Sequence, residues 1–491
     1  MYGIRHNYVG MPPLKAPYDI RGQQKSCSRY AKDKYVLFRI VDDTWKENAD
    51  QLQSRPEAQL VETIGDVDDT EAFGNFLTHL SGMKLSSSWA KELSHSRTKD
   101  IPQPTQATVS EATNSINVFT IDPVGCKDMD DAIGITKADA HTHVIHVAIT
   151  HVPSFLVMSG IDSKGLIGGL GNTCSLYMPH GRVVNMMPKH VAENACSFKA
   201  GNTKRALVMK VAWNDYDKSV TETSLAISDV FVTHNYAYDT AELVALQDYQ
   251  SLFSCVKALS SSHRHFAACP IISDSHDVVA YLMTLMNFYV MEWLEQRNLP
   301  CVYRVNRTRG DKVIPDSLNH LRQKIGNYAG EYCSEADELR ATRGNDVTVW
   351  THITSPMRRL ADLTNMLTIS IYTYPNQYKD LVGFRDHCIG EIARMSREYK
   401  ASRHLSMDCE LFSVVKQMTD DGTILSRAFS GVVTDVDDTR AVVYVEELSR
   451  FFRTCVEPGS VEMFAAVSCT VVGFGEGHTI NEKVRLVITE N

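Results

Sequence analysis

Four aspartates fall within ten residues: Asp122, Asp128, Asp130 and Asp131, in the stretch Phe119-Thr-Ile-Asp-Pro-Val-Gly-Cys-Lys-Asp-Met-Asp-Asp-Ala-Ile. Carboxylates repel. Two unit charges about 4 Å apart cost about 1 kcal/mol in water and about 4 kcal/mol at an effective dielectric near 20. A fold that gathers several in a cleft needs protons or a cation to tolerate them. Apolar neighbours on both sides, Val118-Phe119 and Ala132-Ile133, draw the cluster toward a core. All-oxygen donors are hard ligands and favour Mg²⁺ or Mn²⁺ over zinc. The bland alternative is a solvated acidic turn, of which Asp66–Asp69 and Asp435–Asp438 are other examples. A calcium EF-hand does not fit, because its loop glycine position is Ile133 and no helix precedes Asp128.

The second chemical constellation is Thr351-His-Ile-Thr-Ser-Pro-Met-Arg-Arg-Leu-Ala-Asp-Leu. Ser355-Pro356 reads as a helix start, with the serine as cap and the proline in the first turn. On that reading Arg358 and Arg359 lie near the positive end of the helix dipole. Cations are disfavoured there by some tenths of a kcal/mol, so the pair calls for an anion, and phosphate fits. Asp362 is placed to orient Arg358. The competing reading is a structural salt bridge between Asp362 and these arginines. An acidic cluster and an anion-seeking arginine pair together suggest metal-assisted phosphoryl transfer.

The elements that must position these residues follow from patterning. Asn117–Asp122 alternates as a strand, with Thr120 and Asp122 on one face, and Pro123 and Gly125 let the chain double back. That brings Asp128, Asp130 and Asp131 opposite Asp122. Further strands are expected at Lys34–Val41, Val118–Ile121, His143–Ile149 and Ala206–Trp213, and helices at Glu71–Met83 and Ser275–Arg297. After Leu411, short strands with turn signals suggest a small five-stranded barrel of the oligonucleotide-binding kind.

Bulk properties set limits. A chain of 491 residues exceeds one ordinary core and implies roughly two to four domains. Hydrophobic and charged fractions of 43% and 22% are globular. No run approaches the roughly 18 apolar residues of a membrane span, so no membrane partner is expected. The first thirty residues lack an apolar block, so no signal peptide is expected. They carry Arg5, Lys15, Arg21, Lys25 and Arg29 against Asp19, a basic arm for nucleic acid or an organelle presequence. The twelve cysteines form no C-x-x-C pair. Scattered thiols in apolar contexts, such as Cys196, Cys301 and Cys469, point to a reducing compartment. The net charge of −9 argues against nonspecific coating with nucleic acid but leaves room for a local basic channel.

With both motifs in hand, the chain resembles the RNB family, exoribonucleases of the ribonuclease II and RNase R type. Ile121-Asp-Pro-Val-Gly-Cys-Lys-Asp-Met-Asp-Asp-Ala is similar to the family's metal motif, in the wording of its eukaryotic, exosome-nuclease-like branch. Thr351-His-Ile-Thr-Ser-Pro-Met-Arg-Arg resembles its H-F-T-S-P-I-R-R. His146-Val-Ala-Ile resembles its H-I-A-D strand. Ser175-Leu-Tyr-Met-Pro, Asn185-Met-Met-Pro, Cys196-Ser-Phe and Pro300-Cys-Val-Tyr-Arg match further segments in order over about residues 110–410.

The resemblance implies an α/β (α+β) RNB catalytic domain flanked by small OB-fold barrels, cold-shock-like before it and S1-like after it. The expected division is a basic irregular arm (1–34), a partial cold-shock-like domain (35–83), a connecting segment (84–115), the RNB domain (116–410) and an S1-like domain (411–491). Trp45 and Thr63-Ile64-Gly65-Asp66 resemble the end of a cold-shock domain. No PIN endonuclease domain is expected.

The resemblance further implies processive 3′-to-5′ hydrolysis of single-stranded RNA to nucleoside monophosphates. It makes Asp122 and Asp131 Mg²⁺ ligands, with Mn²⁺ as the substitute, and Asp130 essential for a second metal or the attacking water. Asp128 completes the site. Arg358 stabilises the phosphate transition state and Tyr177 stacks on the 3′-terminal nucleotide; on its own residues, without the resemblance, Tyr177 reads rather as a packed side chain. Arg205, Arg304 and Arg359 join the RNA-binding set, with structural ion pairs as the alternative for the first two. A cytoplasmic monomer is expected. The chain departs from the pattern at Leu360, Asn365-Met-Leu, Ile149 and Asn306, all outside the metal ligands. The rival class is a catalytically silent RNA-binding regulator on the same scaffold; DNA is a further candidate substrate, separated by the 2′-OH.

Overall fold

Alternating β-branched and aromatic runs build three five-stranded sheets, and helices couple them. The computed structural model describes residues 2–5, 14–15, 19–21, 33–40, 57–94, 116–178, 181–262, 272–307, 314–321, 330–334, 347–424, 427–473 and 479–489. Trp45 and the linker prolines Pro102 and Pro104 lie outside them.

The first sheet comprises β1 (Tyr2–Arg5), β2 (Leu14–Lys15), β3 (Asp19–Arg21), β4 (Lys34–Ile40) and β5 (Glu57–Asp66), in the order β2-β1-β4-β5-β3. The arm expected to be irregular thus supplies three strands: β1 runs parallel to β4, and β3 parallel to β5. Short polar strands of this kind carry little alternation, so their pairing is set by β4 and β5 rather than by their own sequence. Helix Thr70–Leu80 follows, capped by Asp69, whose carboxylate accepts from the Ala72 amide at 2.6 Å.

The central sheet is a closed barrel. Its strands are β6 (Ile116–Asp122), β7 (Asp131–Lys137) and β8 (Thr142–Thr150), then, after the short hairpin β9 (Leu176–Tyr177) and β10 (Val183–Val184), β11 (Thr203–Asn214) and β12 (Ser219–Ala237). The order is β11-β12-β6-β7-β8, and β12 closes it in parallel against β6. Apolar side chains of these strands pack with helices Gln247–Ser262 and Ser275–Glu295 in one core.

A small sheet follows, β14 (Glu331–Cys333) beside β13 (Tyr303–Arg307) beside β15 (Val347–Thr351), and then helix Leu360–Thr373. The last sheet is β16 (Ala428–Val436), β17 (Arg440–Val445), β18 (Arg450–Cys455), β19 (Ala466–Gly473) and β20 (Val484–Thr489). It curls until its edges meet, and the Thr454 hydroxyl donates to the Leu486 carbonyl at 2.7 Å. The boundary expected at 410/411 falls inside a single helix, Ile392–Asp420.

That helix carries one apolar side through the junction of all three parts. Phe412 meets Phe73 edge-on at 5.1 Å, and Phe73 lies 6.3 Å from Tyr35. Lys483, which ends the short helix Ile480–Lys483 just before β20, is 1% exposed, with its ammonium 4.7 Å from the Phe412 ring and donating to the Val67 carbonyl at 2.7 Å. Phe73 is fully buried. Phe73→Ala is expected to cost about 3–5 kcal/mol of stability, read as a lower urea midpoint. An unchanged midpoint would show that this junction carries no stability.

Candidate active site

Register brings the aspartates together. Strand β6 ends on Asp122, residues 123–130 double back, and β7 opens with Asp131, opposite Ile149 of β8. The returning loop is stapled from outside. Its Met129 amide donates to the Ser197 hydroxyl at 3.2 Å, that hydroxyl donates to the Lys127 carbonyl at 2.8 Å, and Phe198 N–H donates to the Met129 carbonyl at 3.1 Å. Asn235 on β12 ties the same region down, donating to the Thr120 hydroxyl at 3.0 Å and the Phe198 carbonyl at 2.7 Å. Ser197 and Asn235 position the site, yet sequence reasoning gave them no role. Ser197 stood in plain view in Cys196-Ser-Phe.

Burial makes the cluster electrostatically expensive. Asp130 is 4% exposed, and burial raises its carboxyl well above the usual range, against the lowering by Arg358 and by the Met357 amide. Burial and neighbouring Asp122 push Asp131 up to about 7. Asp122 is raised too, mainly by burial, and its Oδ2 is buried without a hydrogen-bond partner. Asp128 is half-buried, with the Cys126 thiol 3.8 Å from its Oδ1. The four carboxylates do not all come within chelating distance of one another: among the described residues, a different trio meets that condition. Their donors are hard oxygens, one of them unpartnered and buried, so the chemistry fits a Mg²⁺-type cation.

The arginine segment meets this cluster from the other side. Met357 N–H donates to Asp130 Oδ1 at 3.2 Å, and Arg358 Nε lies 3.5 Å from Asp130 Oδ2. The helix, however, begins at Leu360, with Arg359 in the capping position at φ −139°. Residues 355–359 form a turn instead, closed by the Arg358 and Arg359 amides donating to the Ser355 carbonyl. The Ser355 cap fails because Asp362 captures the Ser355 amide at 2.8 Å, while Arg359 forms a bridge with Cys174. Asp362 also pairs with Arg359 at 2.7 Å, not with Arg358. Arg359 is therefore committed to an ion pair with Asp362, its side chain 11% exposed. Arg358, 40% exposed, is the arginine left facing the acids.

Tyr177 completes this group. The Ser175 amide donates to the Arg358 carbonyl at 3.0 Å and Leu360 N–H to the Thr173 carbonyl at 2.8 Å, so the segment leading to Tyr177 lies beside the arginine turn. The ring is 40% exposed, and its hydroxyl is pushed up to about 12 by burial, with Arg358 and the acids Asp128 and Asp130 acting on it. An aromatic half-exposed near an acidic cluster is suited to stacking.

Arg205 and Arg304 lie elsewhere. Arg205 forms a cross-strand pair with Asp229 at 3.2 Å, both half-exposed. Arg304 is 4% exposed, with its guanidinium 5.2 Å from the Tyr332 ring and 4.9 Å from Tyr399. It lines a cleft of 730 Å³ between the β13–β15 sheet, helix Ile392–Asp420 and the last sheet, which the aspartates do not line. His146 lies along β8 at the Gly134 register, its Nε2 2.9 Å from the Thr136 hydroxyl. The departure at Ile149 places a fully buried apolar side chain opposite Asp131.

The raised Asp131 has a sign that can be tested. The folded, metal-free protein keeps a proton that the unfolded chain releases at lower pH. Its contribution to stability is therefore present in acid and lost as pH rises through about 7. Thermal melts in chelator are expected to show wild type losing more stability over that rise than Asp131→Asn. Equal losses would mean that Asp131 titrates normally.

Residues 111–252 match the RNB domain family model. Ribonuclease R of Chlamydia muridarum is 28% identical over 163 residues, 32% of this chain and 22% of that protein. Ribonuclease R of Helicobacter pylori is 35% identical over 97 residues, 20% of this chain and 14% of that protein. The chain thus spans about a fifth of the length of the curated relatives it matches. The structure of RNase R from Mycoplasma genitalium superposes with a TM-score of 0.67 at 14% identity, covering 96% of this chain and 85% of that one. Yeast Ssd1, a pseudonuclease, superposes at 0.58 with 13% identity, covering 85% of this chain and 61% of that one. At such identities the superpositions show the fold alone. The chain thus resembles proteins named ribonuclease R and exoribonuclease 2, and its match to the RNB domain model spans residues 111–252.

Proposed function

We propose that this chain is a divalent-metal-dependent 3′-to-5′ exoribonuclease, hydrolysing single-stranded RNA processively to nucleoside 5′-monophosphates. The observation that carries it is Asp130, held between the Met357 amide and Arg358 and electrostatically coupled to Asp131 and Asp128. No structural need explains so costly a cluster.

On this reading Asp122, Asp128 and Asp131 hold the cation with Asp130, and Mg²⁺ is the natural choice for hard oxygens, with Mn²⁺ as substitute. Bound there, such ions activate water and stabilise the leaving oxygen. Asp130 orients the attacking water. Arg358 offers its guanidinium to the phosphate as charge builds, an interaction stronger in the transition state than before it. Met357 N–H fixes the orientation of Asp130. Tyr177 stacks on the terminal base, which sets the cut one nucleotide from the end.

The 730 Å³ cleft supports an RNA path, since Arg304, Lys400, Arg403 and Arg450 meet Trp350 and Tyr399 there. Cations interleaved with aromatics suit a single strand. The Mycoplasma genitalium RNase R has been seen with both single- and double-stranded RNA. Arg205 and Arg359 are paired with Asp229 and Asp362. The buried free thiols Cys196, Cys301 and Cys469 suit a reducing compartment, and the cytoplasm is proposed. Among the described residues no helix is long and apolar enough to cross a membrane. Action as a monomer is proposed.

The fold likeness to the Ssd1 pseudonuclease keeps a silent RNA-binding regulator as the rival. An assay on 5′-labelled single-stranded RNA with Mg²⁺ separates the two. Wild type is expected to shorten the RNA from its 3′ end and to leave matched DNA intact, whereas Asp130→Asn binds RNA and leaves it whole. Wild type that binds RNA without shortening it would establish the regulator instead.

A further inference from the structure

At the far end of the barrel, three side chains of mixed chemistry converge. His143 is the second residue of β8, Asp215 follows the end of β11, and Cys255 sits in helix Gln247–Ser262. His143 Nε2 lies 3.1 Å from Asp215 Oδ2. One ligand atom from each of the three lies within 4.8 Å of the other two, and this is the group among the described residues that satisfies that condition. It is independent of the aspartate site. Asp131 pairs with Ile149, six residues along β8 from His143, about 20 Å at strand rise.

The backbone around the trio is fixed in advance. His143 pairs with Trp213 across β8 and β11, and the Asp215 amide donates to the His141 carbonyl at 2.8 Å. The turn before β8 is itself locked, with the His141 and Thr142 amides both donating to Asp139 Oδ1 at 2.8 Å. The Cys255 helix is seated on the barrel through Leu252, Val256 and Leu259, all fully buried, and Cys255 is 4% exposed. His143 and Asp215 are partly open to solvent, which leaves an entry path.

The donor set is an imidazole nitrogen, a carboxylate oxygen and a sulfur. Mg²⁺ has little affinity for nitrogen and sulfur, whereas zinc takes all three donors at roughly 2.0–2.3 Å. Ligand atoms around a tetrahedral zinc stand between about 3 and 4 Å apart by those bond lengths, so the observed spacing needs only small side-chain movement. We propose that His143, Asp215 and Cys255 bind one zinc ion, with water in the fourth position. On binding, the Cys255 thiol gives its proton to solvent and a sulfur–zinc bond forms, while neutral His143 contributes its Nε2 lone pair. The ion then ties β8, the end of β11 and the helix together, and it stabilises the fold by mass action.

The test uses the full chain, stripped with a chelator and kept in excess Mg²⁺ so that the aspartate cluster is occupied. Zinc is titrated against a chromophoric chelator, and cobalt is used as a spectroscopic probe. Wild type is expected to take up one zinc per chain, to melt at a higher temperature with zinc, and to show a thiolate-to-cobalt charge-transfer band. Cys255→Ser should lose that band. Asp215→Asn, at a more exposed position and so safe for folding, should bind zinc at least about tenfold more weakly, the lower range known even for outer-shell partners. Wild type without zinc uptake, or both variants binding as tightly as wild type, would overturn the assignment. Because the readouts are metal content and spectrum, the result does not depend on RNA being cut.

Discussion

Buried carboxylate crowding is the constraint on which the site depends. Asp130 and Asp131 lie where burial, together with the neighbouring carboxylates, drives their carboxyls toward the protonated form. Two features of the chain offset this, the Met357 amide and the Arg358 guanidinium, both delivered by one turn. The barrel supplies the other half. Closing β12 against β6 holds Asp122 at the strand end, and Asn235 on β12 fixes the face from which it projects. A cation completes the neutralisation in the proposed reaction, so the same repulsion that destabilises the empty cluster becomes affinity for the metal.

The arginine turn shows why two adjacent arginines have different roles. Arg359 is spent on Asp362, a fully buried carboxylate that also holds the Ser355 amide. Removing one member of such a buried pair typically costs about 3–5 kcal/mol, so this pair fixes the turn. Arg358, one residue earlier, is freed by that arrangement to face Asp130. The flanking sheets are joined to the same framework through helix Ile392–Asp420, which carries Glu398 to the Thr173 amide at 2.7 Å and Phe412 to the N-terminal helix.

Much of this was legible in the sequence. The aspartate loop is announced by Pro123 and Gly125 between two strands, and β6, β8 and β11 stand where alternation places them. The helix start was misread by four residues, because Ser355-Pro356 is a good local cap and only tertiary contacts to Asp362 and Cys174 override it. The roles of Arg358 and Arg359 could not be separated without that start, since it decides whether Arg358 lies within the helix, one turn before Asp362, or outside it. Barrel closure left no local trace: β6 and β12 pair in parallel across more than a hundred residues. His143, Asp215 and Cys255 are likewise distant in the chain, and no motif links them. The strands at 2–5, 14–15 and 19–21 were missed because they are short and lack a clear period.

The proposed hydrolysis requires the aspartates to act through a bound cation, and its Mg²⁺ dependence tests that most directly. The rate of mononucleotide release from one single-stranded RNA would be followed over a Mg²⁺ titration for wild type and Asp122→Asn. Half-saturation is expected at clearly higher Mg²⁺ in the variant, because one hard oxygen donor has been lost. Identical Mg²⁺ curves for the two proteins, or release without any divalent ion, would contradict it.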